Sequence, residues 1–193
     1  MILNHFLKSR LAGKSRLFLA LMLSVLVTGQ TGCGYTTSTI GASGFKTIYV
    51  SNFANKINLT EEVTDKRQYT GYRSGMELSI TRAIIDRFVV DGNLRIGTKA
   101  QSDLIMDGDL IDFTKESLRF DSDENVIEYR LKVIVDLRVT DRETGELLIN
   151  EKSFTGESTY RTSGQYAKSE SAAIQDAVRD LAVRVVERVV ENW

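Results

Sequence analysis

The chain has 193 residues, with 25 Lys and Arg against 26 Asp and Glu, one His, one Cys and no Pro. Four of the basic residues and none of the acidic ones fall in the first 32 positions, so residues 33–193 carry 21 basic against 26 acidic, a net charge near −5 that excludes a general nucleic-acid binder. His5 also lies in that opening stretch, and a chain without His after position 32 has no supply for zinc sites or His-based triads.

Lys8, Arg10, Lys14 and Arg16 precede Leu17–Val27, a run of 11 residues in which only Ser24 is polar. That run is too short to cross ~30 Å of hydrocarbon but has the length of a signal-peptide core. Thr28 to Gly32 are small or polar, and Cys33 follows, the only cysteine. One reading is an ordinary secretory signal with a stray cysteine. The other is a bacterial lipoprotein signal, which a signal ending in Gly32-Cys33 resembles. There the cysteine thiol takes a diacylglycerol, the peptide before it is cut, and the new amine is acylated by a palmitate-type chain. Gln30 stands where that pattern wants Leu. An odd cysteine in an exported protein is a reactive liability unless modified, which favours lipidation at Cys33. Gly34, not Asp, follows the cysteine, and this resembles sorting to the outer membrane. The expected organisation is a signal peptide over 1–32, a lipidated cysteine and tether over 33–45, and one domain over 46–193.

Gly34 to Gly44 is small and polar and reads as the flexible tether. Thr47 to Phe53 is β-branched and aromatic, a first strand. Ala54 to Thr70 shows no period and reads as a long loop, either functional or simply mobile. Ser74 and Glu77 have capping-box spacing, and Met76, Ile80, Ala83, Ile84 and Phe88 recur at helical spacing. The pattern predicts a helix from about Arg73 to Val90, stopped at Asp91-Gly92-Asn93. Leu94 to Ile96 is a short strand or an extended link.

Asp103 to Phe120 reads as a long strand whose alternation slips near Leu110-Ile111 and again after Phe113, so a bulge is expected. Asp121 to Asn125 is a turn. From Glu128 to Thr140, apolar Tyr129, Leu131, Val133, Val135, Leu137 and Val139 alternate with polar residues, and Ile134 alone breaks the rule. A period of two predicts an antiparallel strand with one buried face. Asp141 to Gly145 reads as a hairpin loop and Glu146 to Tyr160 as the returning strand. After Gln165 the period becomes helical, with Ile174, Ala177, Val178, Leu181, Ala182, Val185, Val186 and Val189 in one stripe. The other side is mixed in sign rather than basic, so the stripe is expected to face the core rather than a membrane surface. The expected fold is α+β: a two-layer sandwich with a mainly antiparallel sheet of about four strands and two amphipathic helices on one face.

Asp103, Asp107, Asp109 and Asp112 offer carboxylates, but acids alternating along a strand form its solvated face. There is no Gly-x-Ser-x-Gly elbow. No catalysis, metal or cofactor is expected.

Several marks together resemble the LptE lipopolysaccharide-assembly lipoproteins: Cys33-Gly34-Tyr35 after the signal, the early strand and helix, the Asp91-Gly92-Asn93 stop, and Glu128-Tyr129 after a turn. Ala167-Lys168 ahead of the last helix completes the likeness. The resemblance implies an outer-membrane lipoprotein, lipid-anchored at the periplasmic face, that plugs the LptD β-barrel, helps it assemble and contacts lipopolysaccharide. In the same terms it places glycolipid contacts at Arg119 and Lys168, with Arg130, Lys132 and Lys115 either joining them or serving as solvated sheet charges. The alternative is a non-catalytic adaptor or structural lipoprotein of another cell-envelope transport complex.

Overall fold

The computed structural model describes residues 44–57, 68–69 and 73–191. The expected signal peptide, Cys33, most of the tether and most of the 54–70 loop lie outside the described residues. The strands are β1 (Thr47–Val50), β2 (Ala54–Asn55), β3 (Gln68–Tyr69), β4 (Arg95–Ile96), β5 (Leu104–Phe120), β6 (Val126–Asp141) and β7 (Leu147–Arg161). The helices are α1 (Met76–Asp91) and α2 (Glu170–Val190).

Among the described residues the seven strands form one sheet, in the order β4-β1-β5-β6-β7. β5 pairs along its whole length with β6 on one side. Its other side takes β1 and β2 in parallel and then β3 antiparallel. β1 also pairs in parallel with β4. The expectation of about four mainly antiparallel strands is therefore corrected to a mixed sheet of more strands. Parallel neighbours need a crossover, and α1 supplies it between β1 and β4. The added strands β2 and β3 lie within the stretch expected to be a loop, and β4 takes the strand alternative for Leu94 to Ile96; all three have two residues each, too few to leave a period in the sequence.

Both helices lie on one face, with α2 against β7 and β6, and α1 against α2, β4 and β1. The sheet side of the core is Leu131, Val133, Val135, Leu137 and Val139 of β6, all with no exposed surface. The predicted stripe of α2 is buried in full, together with Ala173. α2 starts as its sequence dictates: the Ser169 hydroxyl accepts the Ala172 N–H at 3.2 Å, and Glu170 sits in the first turn against the positive helix end. α1 does not start with the expected capping box. Gly75 takes the cap position at φ 89° without a side-chain bond, and Ser74 lies one residue too early. Gly92 closes α1 at φ 78°, its N–H donating to the Phe88 carbonyl at 3.0 Å, as the sequence implies.

β5 slips register between Leu110 and Asp112, and β7 bulges opposite Asp136, with Ser153 at φ 53°. The second expected slip falls later, after Ser117. Two close approaches fix the layers. Phe53 lies over Gly108 of β5, and the backbone of Leu181 in α2 lies directly over Gly156 of β7. At the base of the sheet the Asp103 carboxylate accepts the Lys46 and Thr47 N–H groups at 2.8 and 3.0 Å, tying β1 to the start of β5.

Candidate functional site

The expected contact residues sit at the end of β5, β6 and β7 that carries the 121–125 turn and leads into α2. Register places Arg119 of β5 opposite Glu128 of β6, and Glu128 opposite Arg161 of β7. Arg130 faces Glu116 and Thr159, and Lys132 faces Thr114 and Glu157. On β6 these residues alternate with the core positions and point away from the helices.

Each cation has its own surroundings. Lys132 is bound to Glu116 at 2.6 Å, and Arg119 pairs loosely with Glu128 at 3.5 Å while its side chain stays largely exposed. Arg130 is half-buried, and its Nε has no acceptor among the described residues. So Arg119, Arg130 and Lys132 share one patch on the helix-free face. Lys168 does not join it. Its N–H donates to the Arg161 carbonyl at 3.1 Å, but its ammonium is bound to Asp176 of α2. The Asp176 carboxyl is held below its ordinary range by that bond first, and by Arg179. The same end exposes Leu118, Phe120 and Tyr166, so cationic and apolar groups lie within one tip.

The acidic turn is held by its own side chain. Asp121 accepts the Asn125 and Asp123 N–H groups at 2.8 and 2.9 Å, which fixes the turn, favours the ionised carboxylate and lowers its pKa.

The helix side of the same end holds a cluster that pattern reading did not assemble. The Lys115 ammonium lies 2.6 Å from Glu170 Oε2 and 4.2 Å above the Tyr129 ring. Tyr129 stacks on Tyr160 with centroids 5.6 Å apart, and the Tyr160 hydroxyl donates to Glu170 at 3.2 Å. Arg73, just ahead of α1, adds a longer contact to Glu170 at 3.3 Å. Lys115 is thus locked under α2 and is not a free sheet-face charge. Burial opposes its ammonium form, but the bonds to Glu170 and Tyr160 outweigh it and raise its pKa. Sequence gave one hint, the Glu128-Tyr129 pair; Lys115 and Glu170 are 55 positions apart.

Glu170 carries a prediction. The Lys115 bond, against some burial, holds its pKa below the ordinary value. A group with a lowered folded pKa adds stability above its unfolded pKa and loses it as pH falls through the folded one. Glu170→Gln is expected to cost roughly 1 kcal/mol at neutral pH and to flatten the loss of stability below about pH 4, as read by urea unfolding across pH. An acid limb as steep as in the unchanged protein would refute this role.

Across the sheet the helix-free face is laced by further pairs. Asp109, only 6% exposed, takes Lys56 at 2.9 Å and Arg138 at 3.3 Å; burial raises its pKa, and the two cations reverse that shift. Asp136 takes Lys152 at 2.6 Å. This face can meet a polar surface by hydrogen bonds and ion pairs. Among the described residues no group of three or more His, Cys, Asp or Glu is arranged to hold a metal ion, and no helix is long and apolar enough to cross a membrane.

A family model described as LptE, Lipopolysaccharide-assembly, matches residues 45–189. No curated protein sequence matches the chain. Among solved structures, a hypothetical protein from Chlamydia trachomatis shares 10% identity at a TM-score of 0.50, covering 77% of this chain and 97% of its own. A minor lipoprotein from Acinetobacter baumannii shares 12% at a TM-score of 0.46, covering 77% and 95%. Rare lipoprotein B from Shewanella oneidensis shares 15% at a TM-score of 0.39, covering 74% and 91%. At such identities the first of these speaks to fold alone, and the other two carry no argument.

Proposed function

The chain belongs to the LptE lipopolysaccharide-assembly family, and from that premise we propose that it is a non-catalytic outer-membrane lipoprotein, anchored through Cys33, that seats in an LptD-type β-barrel. The observation that carries the reading is the family match, which spans every strand and nearly all of α2. The surface supports it. A wide barrel lumen is polar, and the helix-free face offers it Lys56–Asp109–Arg138, Lys132–Glu116 and Lys152–Asp136. The exposed tip, with Arg119 and Arg130 beside Leu118 and Phe120, suits a phosphorylated, acylated ligand. Lys168 would have to leave Asp176 to bind a phosphate, so its part depends on that exchange. One clamp of several acyl chains holds such a domain firmly at a membrane, where a single chain holds it weakly.

Depletion tests the role. Cells losing this protein are expected to lose lipopolysaccharide from the surface and to retain it inside the envelope. Normal surface lipopolysaccharide under full depletion would overturn the assignment and leave the alternative of an adaptor in another envelope complex.

A further inference from the structure

We propose that the groove between α1 and α2 is a second lipid site, separate from the strand tip, which takes an acyl chain of a phosphorylated glycolipid on its floor and a phosphate on Arg82 and Arg87. The inference rests on the family reading only for the kind of lipid; the groove itself is read from the helices.

The groove measures about 670 Å³, within the ~300–1,000 Å³ range of small-molecule sites. Its floor is apolar: Met76 and Ala83 from α1, and Ile174, Val178 and Ala182 from α2. Exposed Val90 continues the floor toward the C-terminal end of α1. Its rim is cationic: Arg73, Arg82 and Arg87 come from α1 and the residues just ahead of it, Arg179 comes from α2, and Asp86 is the one acidic lining residue among the described residues.

The rim arginines are not alike. Arg73 and Arg179 are paired with Glu170 and Asp176. Arg82 and Arg87 form no ion pair among the described residues, and Arg87 buries its Nε without an acceptor. On α1 they flank the stripe Ser79, Ala83, Asp86 and Val90 that faces the groove. Two unpaired guanidinium forks beside an apolar trough match a phosphate joined to an acyl chain, because the fork binds phosphate oxygens in pairs. Charge complementarity therefore selects an anionic amphiphile over a neutral one.

The test uses the full chain in living cells, with a photoreactive benzophenone amino acid in place of Gln175 on the groove wall. Matching probes at Tyr166 and Leu147 report the tip and the far hairpin. After irradiation, the denatured protein is blotted for lipopolysaccharide. An adduct is expected at Gln175 and not at Leu147. It should fall at least tenfold in Arg82→Gln with Arg87→Gln, and also in Ser79→Trp, which fills the groove, while Lys99→Gln, an exposed change that lines neither the groove nor the tip, leaves it unchanged. An adduct at Tyr166 without one at Gln175 overturns the groove and leaves the proposed function standing. No adduct at either position overturns both the groove and the lipid contact of that function. A protein adduct at Gln175, or a lipid adduct undiminished by the arginine and tryptophan changes, gives the groove another occupant and overturns the proposal.

Discussion

Gly156→Ala is expected to destabilise the domain by about 3 kcal/mol and to lower its melting temperature by roughly 6–12 °C. A Cβ at this position of β7 would lie 2.5 Å from the Leu181 backbone nitrogen and 2.6 Å from its Cα. A flexible side chain can yield to such a contact, but here the obstacle is the backbone of α2. That helix carries nine buried residues of the core stripe, so it cannot lift without opening the core. Thr159→Ala, at an exposed position on the same strand, is the control. Thermal unfolding of both variants decides the matter. Equal midpoints would mean that α2 does not rest on β7 as described.

Cys33→Ala is expected to abolish anchoring. In the proposed scheme the thiol must be lipidated before residues 1–32 are removed, so the variant should keep its signal segment and carry no fatty acid. Loss of all acyl chains removes the hydrophobic attachment outright, because each buried CH₂ contributes about 0.8 kcal/mol. Intact mass and membrane fractionation report both effects. Unchanged processing with unchanged membrane retention would refute lipidation at Cys33.

The long elements were legible because their periods are long. The run from Tyr129 to Val139 alternates over enough residues to identify β6, and the valine stripe of α2 repeats over more than four turns of helix. The short strands β2 and β3, inside the stretch read as a loop, were not legible. β4 falls where Leu94 to Ile96 was read as a short strand or an extended link, but its parallel pairing with β1 is a relation between distant segments that no local pattern encodes. The α1 cap was misread because Ser74 and Glu77 have the right spacing while Gly75, in a left-handed conformation, actually starts the helix. The phase of β7 was blurred by its bulge: Ile149 and Phe154 are five positions apart yet both turn inward, with Ser153 taking up the extra residue.

The candidate site was legible in the same uneven way. Arg119, Arg130 and Lys132, named from the family resemblance, lie together at one strand end on the helix-free face, a placement that follows from strand alternation and register. That Lys115 turns to the opposite face follows from the register shift at Leu110, which reverses the phase of the rest of β5. The binding of Lys115 by Glu170 and of Lys168 by Asp176 depends on where α2 docks, and residue type alone does not give that.

The central claim is partnership with a barrel through an anchored, non-catalytic domain. Its most direct test is affinity purification of the intact lipoprotein from outer membranes under mild detergent, followed by identification of what comes with it. The account predicts a large outer-membrane β-barrel of the LptD type in near-equal amount. Recovery of the lipoprotein alone, or with a different complex in stoichiometric amount, would contradict it.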